Sequence, residues 1–86
     1  LASIKLLYFA WVRERIGRGE ETLDIPDEVA KVSDLKAWLC LRGPEYVAAF
    51  EKPEAVRTAI DQQHASADSL LVNVREVAFF PPVTGG

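Results

Sequence analysis

The chain has 86 residues, enough for one small domain and no more. Its 10 Lys plus Arg against 13 Asp plus Glu give a net charge of −3 with no basic run, which argues against nucleic-acid binding, and 49% apolar residues exclude disorder. A single cysteine excludes an internal disulfide and fits a reducing, cytoplasmic setting, while no segment reads as a membrane span or signal peptide. Methionine is absent, so Leu1 is expected to be a processed, truncated or unusual start.

The first element is a strand in which Ile4, Leu6 and Tyr8 alternate with Lys5, Leu7 and Phe9, placing apolar groups on both faces. Residues 11–16 form a short helix closed by Gly17, carrying a small basic cluster of Arg13, Arg15 and Arg18. That cluster reads as a solvated face or a contact for an acidic partner. Residues 21–25 alternate as a second strand, antiparallel to the first, with Leu23 and Ile25 on one face. Ser33 is the expected N-cap of a helix over 34–42, with Leu35, Trp38 and Leu39 as its apolar stripe and Gly43 as its stop. Cys40 falls off that stripe, on a flank under the next helix, and has no basic neighbour to activate it. Pro44 opens a second short helix running to about residue 51. A strand at 56–60 follows, then an irregular polar stretch over 61–73 that holds His64 and the pair Leu70-Leu71. The last element is a strand over 74–80, apolar on both sides and so expected near the centre of the sheet.

The two most apolar strands are the first and the last, which predicts that they pair side by side, in parallel, with the main helix over one sheet face. That is an α+β architecture of the β-grasp, or ubiquitin-like, kind. The expected organisation is a β-grasp domain over residues 1–80 and an extended tail over 81–86. Phe79 and Phe80 must point to opposite sheet faces. The helix covers one, so Phe80 is expected to lie exposed beside Phe9 as part of a partner surface.

The tail reads Pro81-Pro82-Val83-Thr84-Gly85-Gly86. The prolines keep the chain extended, and six extended residues reach about 20 Å. Gly85 and Gly86 are the thinnest chain available and can thread a channel closed to side chains. The sharpest chemical hypothesis is therefore a reaction at the Gly86 carboxylate inside a partner's site. Nothing else in the chain reads as self-sufficient chemistry. There is no phosphate-binding glycine loop, no metal-spaced Cys or His set, and only one histidine. His64 reads as a solvated or partner-facing loop residue, and no cofactor or metal is expected on this chain.

The closing run Glu76-Val77-Ala78-Phe79-Phe80-Pro81-Pro82-Val83-Thr84-Gly85-Gly86 resembles the C-terminus of the molybdopterin synthase small subunit family, whose members are β-grasp sulfur carriers. The opening Ile4-Lys5-Leu6-Leu7-Tyr8-Phe9-Ala10, with Val12-Arg13-Glu14 and Gly17 behind it, is similar to the family's first strand and short helix. The likeness spans the whole chain, though Asn73-Val74-Arg75-Glu76 stands where the family often has an Asp-Gly-Asp-Glu turn. The resemblance implies that an adenylyltransferase related to ubiquitin-activating enzymes spends ATP on the Gly86 carboxylate and that a sulfur donor converts it to a thiocarboxylate. It further implies that the tail, residues Pro81, Pro82, Val83, Thr84 and Gly85, then enters the large subunit of a heterotetrameric synthase. There the sulfur attacks the cyclic pyranopterin precursor of the molybdenum cofactor. Phe80, Phe9, His64 and Arg13 would form the partner interface. Competing readings are a sulfur carrier for thiamin or tRNA thiolation, a ubiquitin-like protein modifier, and an interaction module with an inert tail.

Overall fold

A computed structural model describes residues 2–82. The elements in chain order are β1 (Ala2–Tyr8), α1 (Ala10–Ile16), β2 (Glu20–Ile25), α2 (Val32–Cys40), α3 (Pro44–Ala49), a 3₁₀ turn (Pro53–Ala55), β3 (Arg57–Ile60), β4 (Gln63–Ala65) and β5 (Glu76–Phe80). The five strands form one mixed sheet in the order β2-β1-β5-β3-β4. β1 and β5 are parallel, from Lys5 opposite Glu76 to Tyr8 opposite Phe79, and the other pairings are antiparallel. This is the α+β β-grasp arrangement expected from the two-faced apolarity of the first and last strands.

The core lies between the sheet and α2. Leu6, Tyr8, Leu35, Leu39, Val77 and Phe79 are fully buried. Phe79 is the centrepiece. It stacks on Tyr8 with ring centroids 6.1 Å apart and meets Phe50 edge-on at 5.1 Å. Burying one such aromatic side chain is worth about 2–3 kcal/mol in a domain whose whole margin is small.

Several local expectations are corrected. α2 starts at Val32, and Ser33 is not its cap. The Asp34 carboxylate, in the first turn, reaches back to accept from the Lys31 and Ala30 backbone N–H groups at 3.0 and 3.1 Å. An anion there serves both the unpaired amides and the helix dipole. Val32 joins Leu35 and Leu39 in the buried stripe, while Trp38 is only half-buried. The helix ends at Cys40, because the Leu41 and Arg42 N–H groups close a tighter turn on Trp38 and Leu39. α3 stops at Ala49, short of residue 51. β3 and β5 are each shorter than expected, starting at Arg57 and Glu76. Arg18 lies past Gly17, beyond α1, so the three arginines do not share one helix.

The largest correction concerns residues 61–73, which contain the strand β4. Asp61 and Gln62 both take positive φ, 46° and 72°, and join β3 to β4 in a two-residue hairpin. Positive φ at both turn positions matches the right-handed twist of a hairpin and is usually marked by Asn-Gly or Asp-Gly. Here Asp-Gln hides it. The Asp61 carboxylate accepts from the Arg75 and Glu76 N–H groups at 3.2 and 2.9 Å, pinning the turn to the start of β5. His64 therefore sits on an edge strand, not in a loop.

A polar hub ties the helices to the sheet. Glu21 on β2 accepts from Tyr8 at 2.8 Å and from Tyr46 on α3 at 2.5 Å, and pairs with Arg18 at 3.0 Å and Arg42 at 3.6 Å. Its side chain is 7% exposed. Burial alone would raise its carboxyl pKa. The two phenol hydrogen bonds and the two guanidinium charges outweigh that, and the net shift is downward from 4.5. Burial, with the hydrogen bond to Glu21, pushes Tyr46 up to about 12 and Tyr8 higher still. A lowered carboxyl stabilises the fold above its unfolded pKa and loses that contribution as pH falls through the folded value. Raised phenols stabilise below about pH 10 and lose that contribution as pH rises beyond it. Urea melts across pH should thus fall off on both sides. Glu21→Gln should flatten the acid limb below pH 4.5 and weaken the alkaline one, and an unchanged acid limb would remove the hub from this role.

Candidate functional site

β5 is central, buried on one face and open on the other. Val77 and Phe79 point into the core; Glu76, Ala78 and Phe80 point to the face without helices. The register aligns Leu7, Ala78, Ala59 and His64 in one row across four strands, with Glu20 at its far end. Leu7, Ala78 and Ala59 are half-buried and small or aliphatic, so the middle of the open face is apolar and its rim is polar.

One step beyond the last β1–β5 pair stand Phe9 and Phe80. The Phe9 N–H donates to the Phe79 carbonyl at 3.0 Å, which holds both chains together at the point where the tail departs. Phe9 is 47% exposed. Phe80 is half-buried, less open than expected, because His64 meets its ring edge-on with centroids 5.8 Å apart. Arg57 is paired with Phe80 across the ladder. Pro81 is half-buried and Pro82 exposed. The expected site residues Val83, Thr84, Gly85 and Gly86 lie outside the described residues.

Phe80 and His64 are thus in contact, and Phe9 stands at the same end of the sheet. Arg13 is exposed one helical turn after Phe9, its guanidinium running along Gly19 on the β2 side. The other arginines are engaged elsewhere. Arg15 covers the Trp11 ring at 4.4 Å and donates to the Ala48 carbonyl, and Arg18 serves Glu21. Cys40 lies half-buried beneath α3, its thiol 3.8 Å from the Tyr46 carbonyl, and burial raises its pKa. A thiol so shifted is a weak nucleophile at neutral pH. Among the described residues no group of three His, Cys, Asp or Glu side chains could hold a metal, and no helix is long and apolar enough to cross a membrane.

Sequence reasoning missed Leu7, Ala78 and Ala59. The signal was the apolar residue on each side of β1 and β5, but the row needs the registers of β1, β5 and β3, and His64 joins it only through β4.

The parallel pairing of the terminal strands under one main helix defines a ubiquitin-like β-grasp protein, and the chain belongs to the ThiS family, whose model matches residues 6–86. Within that class it is 35% identical to the molybdopterin synthase sulfur carrier subunit of Haemophilus influenzae over 96% of this chain and 99% of the relative. The corresponding protein of Escherichia coli K12 matches at the same identity and coverage, and that of Caenorhabditis elegans is 34% identical with full coverage of both. Among solved structures, SAMP1 from Haloferax volcanii superposes with a TM-score of 0.68 at 26% identity, covering 99% of this chain and all of that one. The small archaeal modifier protein 1 from Methanosarcina acetivorans does so at 0.70 and 26%, covering 99% and 97%.

The bend from β1 into α1, beside Phe9, is strained. Ala10 takes φ 52°, a conformation in which its Cβ crowds the following carbonyl. Ala10→Gly should raise the urea-derived stability by about 1 kcal/mol, since the first helical position bears little of glycine's entropy cost. A loss of stability would show that the site carries no such strain.

Proposed function

We propose that this chain is the sulfur carrier subunit of molybdopterin synthase, with sulfur carried as a thiocarboxylate at Gly86. The observation that carries the reading is the course of β5. It ends in the middle of the sheet, at Phe80, on an apolar open face, and Pro81 and Pro82 then direct the chain outward. That geometry suits a tail delivered into a partner while the sheet face docks beside it. The names borne by the H. influenzae, E. coli and C. elegans relatives support the same assignment.

A free carboxylate is a poor electrophile, so the cycle starts with an adenylyltransferase partner transferring AMP from ATP to Gly86 and releasing pyrophosphate. A sulfur donor then displaces AMP, leaving a C-terminal thiocarboxylate. In the large subunit the sulfur attacks the cyclic pyranopterin precursor, water cleaves the resulting thioester and returns Gly86 as a carboxylate, and two such transfers complete the dithiolene. This chain's part is to hold the reacting atoms on a stiff stem, converting an encounter into a positioned reaction. Acid–base groups come from the partner.

A second reading, a protein modifier, is favoured by the likeness to small archaeal modifier protein 1. Intact mass spectrometry after incubation with the activating enzyme, ATP and a sulfur source separates the two. Exchange of one oxygen for sulfur at the C-terminus is expected of a carrier, and conjugates on lysines of other proteins are expected of a modifier. Deleting Gly86 should abolish sulfur loading with the melting curve unchanged, while Cys40→Ser should load normally. Loading that follows Cys40 and ignores Gly86 would overturn the assignment.

The two faces of β5 give a further test. Phe79→Ala should cost about 3–5 kcal/mol of stability, because it empties the centre of the core. Phe80→Ala should leave most of the stability and weaken binding to the large subunit about thirtyfold, the usual loss for a central aromatic anchor. Thermal melts and isothermal titration on the pair check it, and a Phe80→Ala domain that melts early yet binds normally when folded would place the interface elsewhere.

A further inference from the structure

On the helix side of the sheet, away from the open face, a trough of about 570 Å³ runs between α2 and the β3–β4 hairpin. It exists because both walls carry short side chains. Ser33, Ala37 and Cys40 line it from one face of α2, and Ala65, Ser66 and Ala67 line it from the end of β4. The volume lies within the range of small-molecule sites.

One unfilled donor, on Lys36, sits in its floor, and an unpaired hydroxyl is buried behind it. Lys36 is only 8% exposed; its ammonium donates to the Pro53 carbonyl at 2.9 Å and the Val56 carbonyl at 2.8 Å. An ammonium has three N–H groups, so one has no acceptor among the described residues. Thr58, two residues beyond Val56, is 4% exposed, and its hydroxyl is the one buried side-chain oxygen or nitrogen without a partner among the described residues. Native interiors rarely leave such groups unpaired. The nearest opposite charge is Glu54, exposed at the mouth, so the Lys36 charge is only weakly balanced within the trough. Phe50, Val56 and Ala37 supply apolar wall, and Arg57 adds a second cation to the lining.

We propose that this trough binds a small amphipathic monocarboxylate, its apolar body against Ala37, Phe50 and Val56 and its carboxylate on Lys36. A carboxylate is acceptor-only when ionised, which suits the unfilled Lys36 N–H, and its charge answers the buried ammonium. An alcohol or a hydrocarbon of the same length meets the apolar walls equally well but leaves the ammonium unanswered. The site is independent of tail chemistry, since it faces away from Phe9 and Phe80.

The test is a ¹H–¹⁵N NMR titration of the full chain with octanoate, with 1-octanol as the matched neutral probe. Saturable shifts are expected at Ser33, Lys36, Thr58 and Ala65, with octanol binding about tenfold more weakly or worse, as for loss of one charge-assisted hydrogen bond. Lys36→Met should erase the preference for octanoate. Ala37→Trp, at an exposed position of α2, should fill the trough and abolish binding of both probes even where Lys36→Met fails to fold. Equal affinity for octanoate and octanol, shifts confined to the Phe9 and Phe80 face, or no saturable shift at all would each overturn the proposal.

Discussion

Everything in this molecule depends on the parallel ladder between β1 and β5. Two strands separated by most of the chain lie side by side at the centre of the sheet, from Lys5 opposite Glu76 to Tyr8 opposite Phe79. That pairing encloses Phe79 between Tyr8 and Phe50, gives α2 a continuous apolar floor, and sends Pro81 out from the middle of the sheet rather than from its edge. Without it β1–β2 and β3–β4 would be two hairpins, each too small to be stable in water.

The ladder also divides the labour between the two faces. Alternation places Phe79 inside and Phe80 on the open face, so a core residue and an open-face residue are neighbours on one strand. The Glu21 hub belongs to the stability side. It gathers Tyr8 from β1, Tyr46 from α3 and Arg42 from beyond α2 on one carboxylate, fixing the helices against the sheet edge. The open face has no such hub. Its middle row of Leu7, Ala78 and Ala59 carries no hydrogen-bonding side chain, and polar groups stand at its rim.

Much of this was legible in the sequence. The apolar residues on both sides of 4–9 and 74–80 announced two central strands, and Gly17, with φ 89°, ended α1 where a C-terminal glycine should. Phe79 and Phe80 were separable by alternation alone. What was not legible depended on partners distant in sequence. Asp61-Gln62 is not a standard turn pair, and its positive φ values are tolerated because the Asp61 carboxylate bonds to amides fourteen and fifteen residues away. Missing that turn hid β4 and left His64 in a loop. Ser33 looked like a better cap than Lys31 because the capping bond comes from Asp34, inside the helix. The inward turn of Lys36 was equally invisible, since it rests on carbonyls seventeen and twenty residues on. The expectation for the tail rests on its composition and on its likeness to a family, and residues 83–86 lie outside the described residues.

The same ladder has a mechanical side. A force drawing the C-terminal end outward along the axis of β5 acts parallel to its two neighbours and perpendicular to the hydrogen bonds that join them. Those bonds are loaded together in shear and must give way together, whereas a strand peeled from a sheet edge gives them up one at a time. With β1 anchored on one side and β3 on the other, the strand behind Pro81 is the hardest in the sheet to extract. A pull applied beyond Pro82 would therefore be borne by the whole ladder at once, and the domain would resist unravelling from that end.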